Sequence, residues 1–201
     1  MDDTANIICA VNANFVEVTW YYPQASNNGT ALDGFPTGYV RYNTVLGQWD
    51  YGTLPRSAWI DQTVLGPPIG ADNNFFVQQH EISPDAAGQP LSWSYTTGYF
   101  ALSDGDNLVF IDQVWPDMKW GTYAQQQAGS ANASVQLSFN GVKYPGDTPY
   151  VYGPYTVTQQ TEFISPRIRE RLLSFTISGN DLGSFSRLGN IRYRFASDGK
   201  F

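Results

Sequence analysis

The stretch that decides the fold is GYVRYN at residues 38–43, followed by a short turn and QWDYG at residues 48–52. Aromatic and aliphatic residues alternate with polar ones in both runs, which is typical of strands that bury one face of a sheet. Two similar runs, at residues 7–11 and 17–22, flank a turn at residues 12–15. Together the runs predict two hairpins, whose four antiparallel strands are the unit of a propeller blade. Since one blade cannot bury both of its faces, we expect further sheets, from this chain or from its partners, to cover it.

The rest of the chain predicts strands without helices. Residues 57–61 and 75–81 predict one more hairpin, half a blade, with Pro67 and Pro68 interrupting the pairing. A loop at residues 83–90, rich in proline and glycine, marks a domain boundary. The later strands are predicted at residues 91–102, 108–115, 135–139, 150–158, 172–178 and 191–196, and a long flexible contact loop at residues 121–133. The predicted fold is all-β: about one and a half propeller-like blades in residues 1–83, then an antiparallel, jelly-roll-like β-sandwich in residues 84–201.

Composition and charge favour a protein that works in contact with others. Aromatic residues make up 15% of the 201 residues and charged residues only 14%, against about a quarter in typical proteins. An ordinary β-sandwich has a similar composition, so both interpretations stay open. Residues 1–166 carry a net charge of −11 and residues 167–201 a net charge of +4. The basic end predicts an acidic partner or nucleic acid, or, as we favour, complementary contacts between subunits.

Three arginines predict a basic contact site. In a regular strand over residues 167–178, Arg167, Arg169 and Arg171 share one face, which continues into apolar residues. Either a bulge near Leu172 shifts the phase, or the arginines project beyond the rim of the sandwich as a row that suits carboxylates or phosphates. The alternative is a set of salt bridges to nearby acids. We include Arg192, Arg194 and Trp120 with these arginines as predicted contacts to subunits or partners.

Catalytic signals are weak. The single histidine, His80, is expected to be structural, and it excludes metal sites built from several histidines. The single cysteine, Cys9, lies in an apolar run and is expected to be buried. Asp104, Asp106, Asp112 and Asp117 offer paired carboxylates for a glycosidase, but the first two are also typical of a turn. We therefore expect no catalytic residue, no cofactor and no metal. The tryptophans at positions 49, 93, 115 and 120 fit either sugar stacking or a core.

Several longer motifs point to a family. They are EVTWYYP at 17–23, YVRYNTVLGQWDYGTLPRSAWID at 39–61, FFVQQHE at 75–81, SYTTGYFALSDGDNLVFIDQVWPDMKW at 94–120, and SFTISGNDLGSFSRLGNIRYRFASDGKF at 174–201. In this order they resemble the C-terminal part of tail hub or nozzle proteins of short-tailed bacteriophages, also called packaged-DNA stabilisation or tail tubular protein B-like proteins. Members of that family are usually longer, with further blades before the position equivalent to Met1.

The resemblance implies a structural virion protein. Its copies would form a ring, commonly of six, below the portal and adaptor, assembled in the host cytoplasm. The ring would retain the packaged genome and conduct it during ejection, in contact with other tail subunits, a tail fibre or a spike. The acidic body suits DNA that passes nearby without specific recognition. No apolar run approaches the length of a membrane-spanning helix. The alternative is a carbohydrate-binding adhesin on the tail surface, or a protein that decorates the tail or attaches a fibre.

Overall fold

The computed structural model describes residues 6–24, 34–83, 85–122, 133–182 and 184–200. In these residues the chain forms sixteen β-strands, all paired antiparallel, and no helix, which confirms the predicted all-β class. The chain divides into two units, Met1–Ile82 and Ser83–Phe201. The strands are β1 (Ile8–Asn12), β2 (Glu17–Tyr22), β3 (Gly38–Asn43), β4 (Gln48–Thr53), β5 (Ala58–Ile60), β6 (Ile69–Ala71), β7 (Val77–Gln79), β8 (Asp85–Ala86), β9 (Gln89–Pro90), β10 (Trp93–Thr96), β11 (Val109–Thr122), β12 (Ser134–Val142), β13 (Tyr150–Thr158), β14 (Ile168–Glu170), β15 (Leu172–Gly179) and β16 (Ser184–Ser197).

The first unit begins with a four-stranded sheet in the order β1-β2-β3-β4, as its sequence pattern predicts. The turn between β3 and β4 has an identifiable chemical cause. The Asn43 side-chain oxygen accepts hydrogen bonds from the backbone of Val45 and Leu46 at 3.1 and 2.9 Å. Gly47 then adopts a φ of 65°, a conformation that glycine reaches without steric cost. These local contacts fix the register of the hairpin, and with it the residues that each face of the sheet presents.

The first unit continues with a three-stranded sheet, β5-β6-β7, where the sequence predicted a two-stranded hairpin. The missed strand, β6, starts directly after Pro67 and Pro68, which were expected to interrupt pairing. Proline lacks a backbone donor but keeps its acceptor. The Pro68 carbonyl accepts a hydrogen bond from the His80 backbone at 2.8 Å, so the proline takes part in the pairing immediately ahead of the strand.

The second unit contains two larger sheets, β10-β15-β12-β13 and β14-β11-β16, which share one hydrophobic core. The core consists of Ile111, Val114, Val135, Leu137, Phe139, Val157, Ile164, Ile168, Leu173, Phe175 and Ile177. Strands β11 and β16 are each 14 residues long, much longer than the predicted runs. Register shifts between Ile111 and Gln113 and between Pro116 and Met118 explain the difference. Each bulge changes which residues point to which face of the sheet. A search for strict alternation of apolar and polar residues therefore underestimates the length of both strands.

Gly141 permits a close approach between β12 and the strand that carries Glu170. A Cβ atom at position 141 would lie 2.2 Å from Cγ of Glu170. Glu170 is buried, and its Oε1 accepts a hydrogen bond from the Tyr152 hydroxyl at 3.0 Å. The side chain is therefore held by both its surroundings and its partner, and cannot move aside freely.

We predict that Gly141→Ala lowers the free energy of unfolding of the second unit by about 1–3 kcal/mol, because the added methyl group displaces buried Glu170 or separates the strands. Denaturant unfolding followed by near-ultraviolet circular dichroism measures this loss. The matched control is Gly98→Ala, since a Cβ atom there meets no atom within 4 Å. Equal stability of the two variants would contradict the packing described for Glu170.

Candidate functional site

Among the described residues of the first unit, one face of the sheet β1–β4 carries a contiguous apolar and aromatic surface that is partly exposed. Strand alternation and register place on it one set of apolar and aromatic residues, which we call the aromatic face. Its members are Cys9, Val11, Val18, Trp20, Tyr22, Val40, Tyr42, Trp49 and Tyr51. Trp49 and Tyr51, on the edge strand β4, are 63% and 83% exposed. Contiguous apolar surface of this kind marks an interaction site more often than scattered apolar residues do.

The rings of the aromatic face are ordered by contacts across the strands. The Trp49 ring lies 4.5 Å from that of Tyr42 and 6.0 Å from that of Trp20, between centroids. Cys9 is exposed, so the expectation that it is buried was wrong. Its neighbour Ala10 points to the covered side instead. Because both faces of β1 carry apolar residues, composition alone could not show which of the two the fold covers.

The opposite face of the same sheet is covered on strands β1 and β2 and also carries charges. Ala10, Thr19 and Tyr21 are buried there, and the Tyr21 ring lies 6.3 Å from the Trp59 ring of β5. On this face the Arg41 guanidinium contacts Glu17 at 3.1 Å and Asp50 at 2.6 Å. The sheet thus carries ion pairs on the side that the chain partly covers, where the Asp50 side chain stays 48% exposed. The aromatic rings lie on the other side, so neither face of the sheet is a plain polar surface.

A second candidate site is an apolar cleft of about 360 Å³ in the second unit. Trp93 and Tyr95 of β10 line one side, and Trp120 of β11 and Leu188 of β16 line the other. Trp93 lies flat against Gly179, where a Cβ atom would come within 2.7 Å of the indole nitrogen. Trp120, a predicted contact residue, therefore belongs to a defined site. Trp93 lines the same cleft because β10 pairs with β15 in a register that places Trp93 opposite Gly179. The spacing of residues in the sequence does not reveal this register.

The three neighbouring arginines do not form a row on one strand. Arg167 has a φ of 53°, outside the strand region, and Arg171 lies between β14 and β15, which belong to different sheets. The chain crosses from one sheet to the other at Arg171. This crossing, rather than a bulge within one strand, changes which residues point towards the core. Arg169 pairs with Asp198, and Arg171 donates to the backbone carbonyls of Gly105 and Lys143.

The other predicted arginines pair across strands on the outer face of the sheet β14-β11-β16. Arg192 forms a two-point contact with Asp117 at 2.9 and 3.0 Å, and Arg194 forms a similar contact with Asp112. The Arg194 guanidinium holds the pKa of the Asp112 carboxyl below its usual value. Local ion pairs, the simpler of the two explanations, therefore account for Arg169, Arg192 and Arg194. Their role as contacts to other subunits stays a prediction.

The candidate catalytic acids do not form a shared site in the described cleft. Asp112 and Asp117 are engaged by arginines, and neither lines the apolar cleft. The Asp104 side chain accepts hydrogen bonds from the Ser103 hydroxyl and, at 3.4 Å, from the Asp106 backbone. This geometry is the turn that the sequence favoured at these positions.

His80 is held inside the first unit by a buried arginine. Nε of Arg56, a residue only 4% exposed, donates to Nε2 of His80 at 2.9 Å, and the imidazole lies 4.6 Å from the Trp59 ring. Burial, with a smaller contribution from the Arg56 charge, lowers the pKa of His80 to about 4. His80 is therefore neutral at pH 7 and serves Arg56 as a hydrogen-bond acceptor.

We predict that His80 titrates well below its ordinary pKa of 6.5. As the only histidine, it gives one imidazole signal by NMR, and a pH titration of that signal should have a midpoint near 4. Because the folded-state pKa is lowered, this group stabilises the fold above about pH 6.5, and the contribution is lost as the pH falls towards 4. The variant His80→Gln, which keeps an acceptor for Arg56, is the control without titration. A midpoint near 6.5 would exclude the buried contact.

The described residues contain no helix long and apolar enough to cross a membrane. In the same ranges, no three side chains of the His, Cys, Asp or Glu type are placed to hold a metal ion. No protein-family model matches the chain, and no curated protein is significantly similar to it.

Proposed function

We propose that this chain is a structural, non-catalytic subunit of a bacteriophage tail, of the hub or nozzle type, that assembles into a homo-oligomeric ring. The observation that carries the proposal is the aromatic face: a set of rings in mutual contact, with Trp49 and Tyr51 exposed, on a sheet whose opposite face is partly covered by the chain. The motif resemblance supplies the kind of assembly. On this proposal the protein resides in the virion, next to the portal, adaptor or fibre subunits.

Energetics support assembly through the aromatic face. Removing one large apolar side chain from water contributes about 1.5–3 kcal/mol, so covering Trp49 and Tyr51 alone offers a substantial driving force. Sheets that pack face to face lie about 10 Å apart, a distance that interlocking side chains of this size can fill. The meander β1–β4 fits a propeller-like blade, and the three strands β5–β7 fit an incomplete second blade.

The occupant that best fits the aromatic face is a second copy of the chain. The sheet β5-β7 turns Trp59 towards the first sheet, and its other face carries Ile60 and Val77, which are 60% and 73% exposed. The first unit thus offers two different apolar faces. Contact between the aromatic face of one copy and the β5–β7 face of the next is head-to-tail, and such contacts close into rings when the rotation permits. The ring implied by the resemblance has this type of symmetry.

Charge supports a conduit that does not bind DNA tightly. The acidic residues 1–166 repel phosphates. Arg169, Arg192 and Arg194 at the basic end are each neutralised by an aspartate of the same chain. Passage of a genome requires weak contacts with its backbone, and this distribution is compatible with that requirement. The β-sandwich arrangement proposed for the second unit supplies a rigid part of the wall.

We predict that Trp49→Thr combined with Tyr51→Thr weakens self-association by about 2–4 kcal/mol, because two exposed rings leave the interface. The dissociation constant should rise about thirtyfold to a thousandfold, measured by sedimentation velocity over a range of protein concentrations. Threonine keeps the strand propensity of β4, so the circular dichroism spectrum should be unchanged.

The matched control is Tyr150→Thr, which removes a strand tyrosine, 63% exposed, from the second unit. It should leave self-association as in the parent chain. A parent chain that stays monomeric at all accessible concentrations, or a double variant that associates as well as the parent, would overturn the proposed assembly through the aromatic face.

A further inference from the structure

The two large sheets of the second unit differ by one strand. Four strands, β10-β15-β12-β13, form one sheet, and three strands, β14-β11-β16, form the other. Strand β16 is an edge of the smaller sheet, since within the described part of the chain it pairs only with β11. An edge strand carries unpaired backbone donors and acceptors, which are a template for another strand.

Burial along the shared core decreases towards the cleft. On the larger sheet, Leu137 and Ile177 are fully buried, but Trp93 and Tyr95 of β10, on the same face, are 40% and 55% exposed. On the smaller sheet, Val114 of β11 is fully buried, whereas its partner Tyr193 on β16 is only half-buried. Core burial therefore decreases towards β10 on one sheet and towards β16 on the other. The apolar cleft lies between these two strands.

We propose that the β16 edge beside this cleft accepts an extended segment of a partner protein as an additional strand. Such strand addition obtains its affinity from main-chain hydrogen bonds and its specificity from alternate side chains that enter pockets. Four residues in strand conformation extend about 13 Å and direct two side chains to one face. Apolar side chains at these two positions would contact Trp93, Tyr95 and Leu188. The inference does not depend on the ring proposed above.

Positive charge on the outer face of the sheet β14-β11-β16 indicates which polar residues the added segment should carry. Lys119 and Arg187 lie directly opposite each other on β11 and β16, an unfavourable pair of like charges. Neither forms an ion pair within the described part of the chain, whereas Arg192 and Arg194 on the same face each have an aspartate. A carboxylate on the outward side of an added strand would lie near Arg187 and relieve this repulsion. The segment that fits is therefore one in which apolar and acidic residues alternate.

The direct test uses a capped heptapeptide in which glutamate alternates with valine and leucine. We expect it to bind the full chain and to protect the backbone amides of β16 from hydrogen exchange. The first control peptide has the same side chains but N-methylated backbone amides on alternate residues, which removes the donors that a strand needs. It should bind at least about tenfold more weakly.

Charge reversal at Lys119 and Arg187 tests whether the bound segment carries acidic residues. The variant Lys119→Glu with Arg187→Glu should lose about tenfold or more in affinity for the glutamate peptide, and should gain affinity for the same peptide with lysine in place of glutamate. The matched control, Lys143→Glu with Lys200→Glu, changes the net charge equally at exposed positions outside β16 and should bind as the parent does.

Three outcomes would overturn the inference. The first is the absence of peptide binding at about 1 mM, which corresponds to negligible affinity. The second is binding that N-methylation leaves unchanged, or that does not protect β16. The third is binding of neutral oligosaccharides to the cleft, lost on Trp120→Ala, with no binding of the peptide; this result would assign the cleft to a sugar ligand.

Discussion

A β-sheet with apolar residues on both faces gains stability when both faces are covered, and in the sheet β1–β4 the chain covers part of one face. That face carries the buried Tyr21 and the partly exposed Glu17–Arg41–Asp50 ion pairs. The open face carries Trp20, Tyr42 and Trp49 in mutual contact. The free energy of hydrophobic burial scales with the apolar area removed from water, so covering the open face would contribute further stability. The proposed assembly depends on that imbalance.

The second unit meets the same constraint in a different way. Its core is complete at the centre, where Ile111, Leu137 and Phe139 are fully buried. Burial decreases towards β10 of the larger sheet and β16 of the smaller one, where the apolar cleft lies. An unpaired strand edge and an uncovered sheet face bind different partners. A strand edge binds through backbone hydrogen bonds, whereas a sheet face binds through apolar contacts. A chain with both is suited to two kinds of neighbour, which is the situation of a subunit inside a larger particle.

Sequence reasoning predicted the features that depend on neighbouring residues. Alternation in β3 and β4, together with the short turn between them, was sufficient for the first sheet. Features that depend on tertiary packing were not predictable: the strand after Pro68, the bulges of β11, and the crossing between sheets at Arg171. For the candidate sites, Trp120 was identified, but its neighbours in the cleft come from four other strands. The exposure of Cys9 depends on which face of β1 the rest of the unit covers. The residues near Cys9 in the sequence do not indicate which face that is.

Cys9 provides the most direct measurement of the central claim, because it is the only cysteine and lies on the aromatic face. The rate at which its thiol reacts with a disulfide reagent depends on access to the sulfur. The experiment compares this rate in the assembled protein and in the same protein after dilution to the monomer. If a second copy covers the aromatic face, the assembled form should react at least about tenfold more slowly than the monomer. Equal rates in the two forms would show that the aromatic face stays open in the assembly, and would contradict the account.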